Sequence, residues 1–200
     1  MPPIAFGGAG FASKTFKPSC MPDRSLSPAQ LQKLRRWNTP SVANALEQIS
    51  GADPLTLFNL EETRDFMPEL GPMVGVAMTV VISGGDPRPK REQPQNFNLY
   101  REYLASRNGP KIVVVQDADR PVCYGSIWGE VGATPMRALG CVGTITDGAI
   151  RDLDEMKAAG FKALARRLAV SHAHCWPERS LGYLSRHGED SKDCHILFES

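Results

Sequence analysis

The pattern of apolar and polar positions predicts helices and strands that alternate along the chain. Pro28 and Pro40, each preceded by a serine or threonine, are typical of helix starts, and apolar residues follow both at helical spacing. A run of β-branched and apolar residues over 75–82 predicts a buried strand. Residues 95–107 carry their apolar side chains on one helical face and predict an amphipathic helix. This order favours an α/β fold.

The second half of the chain continues the same alternation. Residues 111–117 are almost continuously apolar, which is typical of a strand buried on both faces. Residues 122–140 predict helical structure with a break between 129 and 135. After the break the helix has two candidate starts: Glu130, which follows Gly129, and a later one at Pro135, which follows a threonine as in an N-cap and N1 pair.

Three further segments complete the predicted domain. Residues 141–146 predict a strand that ends in a turn at Asp147 and Gly148, and 152–161 predict a helix. The segment 163–170 fits either a helix or a strand. The polar, proline-rich stretch 87–94 is expected to be a surface loop.

Length and composition limit the classes of protein to consider. The 200 residues, 42% hydrophobic and 22% charged, suit one globular domain with a buried core. A net charge of +1 gives no electrostatic reason to expect nucleic acid or an anionic membrane as partner. No apolar run approaches the roughly 18 residues of a membrane span, and no secretory signal is visible. We therefore expect a cytoplasmic protein, with a mitochondrial presequence as the alternative.

The chain divides into three predicted parts. Residues 1–25 are rich in glycine, proline and serine and are expected to form a loose leader. Residues 26–176 are expected to form the folded domain, and 177–200 form an atypical polar tail. The 5 cysteines occur at wide, irregular spacing without a CxxC pair, which favours reduced thiols.

One group of charged residues could carry chemistry. Glu130 is followed, after about twenty residues, by Arg151 and Asp152. Arginine offers a planar fork that binds carboxylates, and carboxylate oxygens are ligands for Mg²⁺ or Mn²⁺. The alternative interpretation of the same residues is an aspartate that caps a helix beside a surface arginine.

A family resemblance gives this motif a more definite meaning. Residues 39–176 resemble the RraA-like family, which includes class II 4-hydroxy-4-methyl-2-oxoglutarate aldolases. The strongest match is 140–152, GCVGTITDGAIRD, and the aldolases of the family carry the same spacing from an acid to Arg-Asp. Shorter matches occur in four other segments: 39–46, 71–82, 111–115 and 128–130.

The resemblance implies a fold, an assembly and an activity. It implies an α/β fold of the swivelling ββα sandwich type, assembled as a homotrimer or hexamer with sites at subunit interfaces. It also implies a metal-dependent lyase that cleaves a C–C bond in small 2-oxo acids through a pyruvate enolate. Aldol cleavage of 4-hydroxy-4-methyl-2-oxoglutarate-type substrates and oxaloacetate decarboxylation both fit that chemistry.

By the same resemblance, each site residue has an expected role. Asp152 would hold Mg²⁺ or Mn²⁺, and Glu130 would hold the metal or orient a water bound to it. Arg151 would bind the pyruvyl group and stabilise enolate charge. The backbone amides of Val131 and Gly132 would receive the substrate carboxylate.

Two other functions stay open at this stage. The family also includes a regulator that binds a ribonuclease, so a non-catalytic interaction protein is the rival. Residues 177–200 do not resemble the family, so the strands that complete the sandwich could be missing and the chain an inactive, C-terminally altered form.

Residues outside the motif are expected to be structural. Lys111 is expected at a solvated strand edge, Cys123 and Cys141 as buried thiols, and 83–86 as a plain turn rather than a phosphate loop. A zinc site is the minor alternative for the C-terminal histidines and cysteines: His172, His174, Cys175, His187, Cys194 and His195.

Overall fold

The structure, a computed structural model, describes residues 26–56, 62–119, 121–180 and 195–198. The described residues form six α-helices: α1 (Pro28–Leu34), α2 (Thr39–Ser50), α3 (Arg88–Glu92), α4 (Asn96–Ala105), α5 (Glu130–Ala138) and α6 (Leu153–Ala158). They also form seven strands: β1 (Arg64–Asp65), β2 (Met73–Ser83), β3 (Lys111–Asp117), β4 (Cys141–Ile150), β5 (Lys162–Leu168), β6 (Trp176–Ser180) and β7 (His195–Phe198). The predicted leader 1–25 lies outside the described residues.

All seven strands belong to one sheet. Its strand order is β1-β5-β4-β3-β2-β6, and β7 also pairs with β2. The central strands β2, β3, β4 and β5 are parallel, whereas β1, β6 and β7 run antiparallel to their neighbours. The helices α4, α5 and α6 connect the parallel strands in turn, so the predicted α/β class is confirmed.

The main hydrophobic core lies on one face of the sheet. Tyr100 from α4, Met136 from α5 and Met156 from α6 are fully buried there against alternate strand residues. Trp128, which precedes α5, stacks on Phe161 at 4.8 Å between ring centroids. A smaller cluster of Met73, Ile112 and Leu164 lies apart from this core.

Local signals set the first helices as the sequence predicts. Ser27 and Gln30 form a reciprocal capping box at the start of α1. Asn38 caps α2 through its side chain, one residue before the predicted start, and Gly51 ends α2 in the left-handed conformation with φ 65°. Among the described helices none is long and apolar enough to cross a membrane.

The segment before α5 differs from the prediction. Residues 122–129 are not helical, and α5 begins at Glu130, so the later candidate start at Pro135 is wrong. Pro135 lies inside the helix, where it cannot donate to the Val131 carbonyl four residues earlier. Because Val131 is 78% exposed, water can satisfy that carbonyl and the helix continues.

The predicted turn at Asp147 and Gly148 is also wrong, because β4 runs through both residues. The register between β4 and β5 shifts between Thr146 and Ala149, so the two residues form a bulge within the strand. The Gly148 amide donates to Thr146 Oγ1 at 3.0 Å, and a Cβ on Gly148 would lie 2.7 Å from the Gly125 carbonyl oxygen. Glycine is therefore required there by close packing.

Two more expectations need correction, for the stretch 87–94 and for Lys111. The stretch 87–94 contains α3 rather than only a loop. The segment 163–170, which fitted either element, contributes most of the strand β5. Lys111 is 3% exposed, not solvated, because its ammonium group donates to the carbonyls of Arg107 and Gly109. Burial lowers the pKa of Lys111.

Two strands lie at or beyond the predicted boundary at residue 176. β6 pairs with the C-terminal half of β2 and β7 with its N-terminal half, both antiparallel. These strands add to the same edge of the sheet. Residues 181–194, which join them, lie outside the described part of the chain.

Candidate functional site

The end of β4 brings the two halves of the charged motif together. Trp128 forms an isolated parallel bridge with Ile150, the last residue of β4, and the Arg151 amide donates to the Trp128 carbonyl at 3.1 Å. These backbone contacts place the start of α5 beside Arg151 and Asp152 although about twenty residues separate them. The motif is therefore contiguous in space.

Asp152 occupies the N-cap position of α6 but does not cap that helix through its side chain. Its Oδ2 accepts a hydrogen bond from the Glu130 amide of α5 at 3.1 Å. The Arg151 guanidinium lies beside the same carboxylate, with Nη1 3.2 Å from Oδ2 and 3.3 Å from Oδ1. The simple capping interpretation is therefore wrong, since the carboxylate points across to another helix.

The backbone of Asp152 is held in an unusual conformation. Its φ of 54° and ψ of 51° lie in the left-handed region, which disfavours residues with a side chain. Such a residue costs about 1 kcal/mol or more and persists only where the surrounding structure imposes it. Here the strand end and the Glu130 amide fix the carboxylate in place.

Gly129 makes this approach possible. Its φ of −168° is extended backbone that any residue adopts, so the requirement is one of space. A Cβ at position 129 would collide with Asp152 Oδ2 and lie 3.1 Å from Arg151 Cγ. Any side chain there would push the two charged groups away from α5.

Arg151 has unused hydrogen-bonding capacity. Its Nε is buried and has no hydrogen-bond partner among the described residues, while its side chain as a whole is 30% exposed. Buried donors in proteins are normally satisfied. An acceptor supplied by a ligand or a water would complete this one.

The first turn of α5 forms the third side of the site. Glu130 and Val131 are exposed, and the amides of Val131 and Gly132 belong to the turn whose N–H groups have no partner within the helix. A Cβ on Gly132 would lie 2.8 Å from the Ile127 carbonyl oxygen, so this turn packs closely on the preceding chain. Such an end of a helix favours anions.

The site offers hard oxygen donors for a cation. Asp152 is 27% exposed, and the Glu130 carboxylate starts the adjacent helix. No group of three or more His, Cys, Asp or Glu residues within the described ranges could hold a metal ion. A two-carboxylate set still fits Mg²⁺ or Mn²⁺, since Mg²⁺ keeps several waters and is often held by one or two carboxylates.

The zinc alternative gains no support from the histidines that can be described. His172 and His174 are exposed and belong to no metal-binding group in the described part of the chain. His187 and Cys194 lie outside the described residues, and only the backbone of His195 is described. Burial raises the pKa of Cys141 to about 11, and also raises that of Cys123, as expected for buried thiols.

A second acidic cluster, which the sequence analysis did not identify, lies where β2 and β3 end. Asp119 Oδ2 accepts from the amides of Gly84 and Gly85, both at 2.7 Å, and its Oδ1 accepts from Ser83 Oγ at 3.0 Å. The chain's own carboxylate thus fills the only part of 83–86 that could hold a phosphate. The prediction of a plain turn is confirmed.

Asp117 supports the turn from inside. It is fully buried and accepts from the Gly125 and Asp119 amides. Burial raises the pKa of Asp117. Burial also acts to raise the pKa of Asp119, but the amides of Gly85 and Gly84 outweigh it and lower the pKa.

The sequence carried one signal for this cluster. Acidic residues follow the carboxyl ends of two neighbouring parallel strands, the edge where α/β proteins place their sites. Its contacts are internal, so the cluster joins loops rather than presenting free groups.

Comparisons with known proteins identify the fold and the family. The sequence model of the RraA-like family, described as Aldolase/RraA, matches residues 39–180. A search among curated protein sequences finds no match.

Several solved structures share the fold. An uncharacterized protein from Pseudomonas syringae pv. tomato is 20% identical with a TM-score of 0.56, covering 84% of this chain and 68% of its own. Streptomyces coelicolor RraAS2, an unusual member of the RNase ES inhibitor RraA family, is 17% identical with a TM-score of 0.55 and coverages of 76% and 71%. The RNA-processing inhibitor RraA from Thermus thermophilis is 15% identical with a TM-score of 0.50 and coverages of 78% and 87%.

Proposed function

The chain belongs to the RraA-like family, and we propose on that basis that it is a divalent-metal-dependent lyase acting on small 2-oxo acids. Its reactions would be aldol cleavage of 4-hydroxy-4-methyl-2-oxoglutarate-type substrates, oxaloacetate decarboxylation, or both. The observation that carries the proposal is the contact of Arg151, Asp152 and the Glu130 amide around a buried Arg151 Nε that has no hydrogen-bond partner among the described residues.

Arg151 is the group that would bind the substrate. Its guanidinium is fixed at one end by Asp152, and its Nε donates to no residue in the described part of the chain. A 2-oxo acid presents a carboxylate and a keto oxygen side by side, which match the planar donors of arginine. When the C–C bond breaks, its electron pair moves onto the pyruvyl fragment as an enolate, and the guanidinium stabilises that charge.

Asp152 and Glu130 would hold the metal ion through oxygen atoms. Bound Mg²⁺ or Mn²⁺ would supply Lewis-acid chemistry by polarising the keto group. Glu130 would orient the water that donates a proton to the enolate carbon, which yields pyruvate. The Val131 and Gly132 amides would receive the substrate carboxylate at the positive end of α5.

The test is a pyruvate assay with oxaloacetate and with 4-hydroxy-4-methyl-2-oxoglutarate. Purified protein should release pyruvate with Mg²⁺ or Mn²⁺ and stop when a chelator is added. Arg151→Ala and Asp152→Ala should each lower turnover at least about 100-fold, because each removes a group that stabilises developing charge.

Arg88→Ala is the matched control. Arg88 forms the same type of Arg–Asp pair, with Asp86 at 2.6 Å, but on the surface at α3. Its turnover should equal that of the unmodified chain. Absence of metal-dependent turnover in folded protein would contradict the proposed activity, and full activity in both site variants would contradict the residue assignment.

A non-catalytic regulator is the second candidate. The observation that favours it is the shared fold with RraAS2 and with the Thermus RraA, whose descriptions name inhibition of RNase ES and of RNA processing. Inhibition of a ribonuclease E-type enzyme by protein that lacks turnover would favour this function over the lyase.

We also propose a homotrimer or hexamer, as the family resemblance implies. Large apolar side chains are exposed beside the site and elsewhere, with Val131 at 78%, Ile49 at 85% and Val170 at 99%. Contact with another copy would remove such surface from water. Light scattering that gives the mass of one chain would contradict this assembly.

A further inference from the structure

A cavity lies between α1 and the sheet, away from the site of Arg151. Its volume is about 580 Å³, within the range of ligand-binding pockets. Leu31 of α1 forms one wall, and Met73 and Val74 of β2 with Val142 of β4 form the opposite one. The apolar walls could enclose a hydrocarbon or aromatic group.

The charged groups that line this cavity, among the described residues, are all of one sign. Arg35, Arg36, Arg137 and Lys162 line it, and no acidic side chain among the described residues does. Lys162 is already neutralised, because its Nζ lies 2.6 Å from Asp65 Oδ2 and donates to the Gly71 carbonyl. The three arginines remain available for an anion.

Arg137 is held in position without being neutralised. Its Nε donates to the Ala159 carbonyl at 3.2 Å and its Nη1 to the Cys141 carbonyl at 3.1 Å. Carbonyls orient the guanidinium but supply no opposing charge. Its Nη2 lies beside Gly160, which also lines the cavity.

Arg35 and Arg36, which directly follow α1, complete the cationic rim. Both are exposed, and neither makes a side-chain hydrogen bond or ion pair with another described residue. The helix that precedes them has no buried residue. These two side chains can therefore reorient to meet a ligand that Arg137 binds.

We propose that this cavity binds a small anionic amphiphile, a carboxylate carried on a hydrocarbon or aromatic body. The arginine forks match the carboxylate, and the apolar walls match the body. A free inorganic anion would leave the apolar walls without a partner. The site is separate from the proposed lyase site, since Arg137 and Glu130 lie near opposite ends of α5, about 10 Å apart along its axis.

Calorimetric titration of the full chain with octanoate tests the proposal. Octanoate should bind saturably, while acetate, octyltrimethylammonium and inorganic phosphate should each bind at least about tenfold more weakly. Replacing Arg35→Gln together with Arg36→Gln should weaken octanoate binding about tenfold or more, because two charge-assisted contacts are lost. Arg137→Gln should do the same.

Arg91→Gln is the matched control, since Arg91 is an exposed helix arginine that pairs with the adjacent Glu92 and does not line the cavity. It should bind octanoate like the unmodified chain. The Arg35→Gln, Arg36→Gln double variant changes only exposed side chains, so its thermal unfolding should equal that of the unmodified chain. The test therefore holds even where Arg137→Gln is unstable.

Four results would overturn the proposal. The first two are the absence of saturable octanoate binding up to about 10 mM, and arginine variants that bind octanoate as tightly as the unmodified chain does. The third is octyltrimethylammonium that binds as tightly as octanoate. The fourth is self-association of the chain that requires Arg35 and Arg36, in place of ligand binding. The last would assign this face to a second copy of the chain. Pyruvate release by the site of Arg151 is measured independently, so the two proposals fail separately.

Discussion

Asp119 and Asp152 both follow parallel strands at the same edge of the sheet, and both accept backbone amides, but their surroundings differ. Asp119 accepts from two amides and a hydroxyl, and the cluster around it is closed by buried Asp117. Asp152 accepts from one amide and lies beside an arginine whose Nε has no hydrogen-bond partner within the described ranges. The closed cluster holds loops together, whereas the open one has capacity for a ligand.

This difference separates two roles that residue type alone does not distinguish. An aspartate whose oxygens are filled by the chain contributes to stability, and its removal leaves donors unsatisfied. An aspartate next to unused donors costs stability and can contribute to function. Substitutions in the two clusters should therefore affect different measurements.

The largest effect is expected where the open site is blocked. Gly129→Ala should lower metal-dependent pyruvate release about 100-fold, because the new Cβ collides with the Asp152 carboxylate and displaces it. The pyruvate assay measures this directly.

Gly51→Ala is the control for replacing a glycine. It lies at the end of α2 with φ 65° and with nothing within 4 Å of its missing Cβ. It should lose about 1 kcal/mol of stability but keep its turnover. If Gly129→Ala retained full activity, the geometry around Asp152 would not be that of a working site.

A smaller effect is expected in the closed cluster. Asp119→Ala should lower the free energy of unfolding by about 2 kcal/mol, since the amides of Gly84 and Gly85 and the Ser83 hydroxyl lose their acceptor. Denaturant titration measures the change, and turnover per folded molecule should not fall. Glu102→Ala, on the exposed side of α4, should leave stability nearly unchanged. Loss of turnover without loss of stability would reverse the roles assigned to the two clusters.

The smallest effect concerns pH. Burial raises the pKa of Asp117, so its contribution to stability is present below the unfolded pKa near 3.8 and falls as pH rises through the folded pKa. The pKa of Asp119 is lowered, so its contribution is present above that value and falls as pH drops.

Together the two carboxyls should stabilise the fold most at about pH 4, close to their unfolded pKa. Subtracting the unfolding free energy of the Asp117→Asn, Asp119→Asn double variant from that of the unmodified chain, pH by pH, isolates this contribution. If this difference in unfolding free energy rises steadily with pH, the pKa of Asp117 is not raised in the folded protein.

The sequence allowed the strands and the candidate residues to be predicted, but not the way they meet. Continuous apolar runs mark β2 and β3 because both faces of these strands are buried. The start of α5 stayed open because Pro135 resembles a helix start, while the actual start at Glu130 depends on chain packing around Gly129. Local patterns carry no information about such packing.

The remaining errors have the same origin. The bulge at Asp147 and Gly148 is set by the neighbouring strand and by Gly125, which are distant in sequence. Lys111 is buried because carbonyls of the preceding loop surround its ammonium group. The spacing shared with the family was needed to predict that Asp152 and Glu130 lie together. That Asp152 contacts the Glu130 amide is visible only in three dimensions.

The left-handed backbone of Asp152 has a consequence for how this protein can change. Glycine at position 152 would adopt φ 54° without strain, but it would also remove the carboxylate that accepts from the Glu130 amide. The backbone strain is therefore tied to the contact that joins the start of α5 to the end of β4. A glycine that relieves the strain also loses that contact.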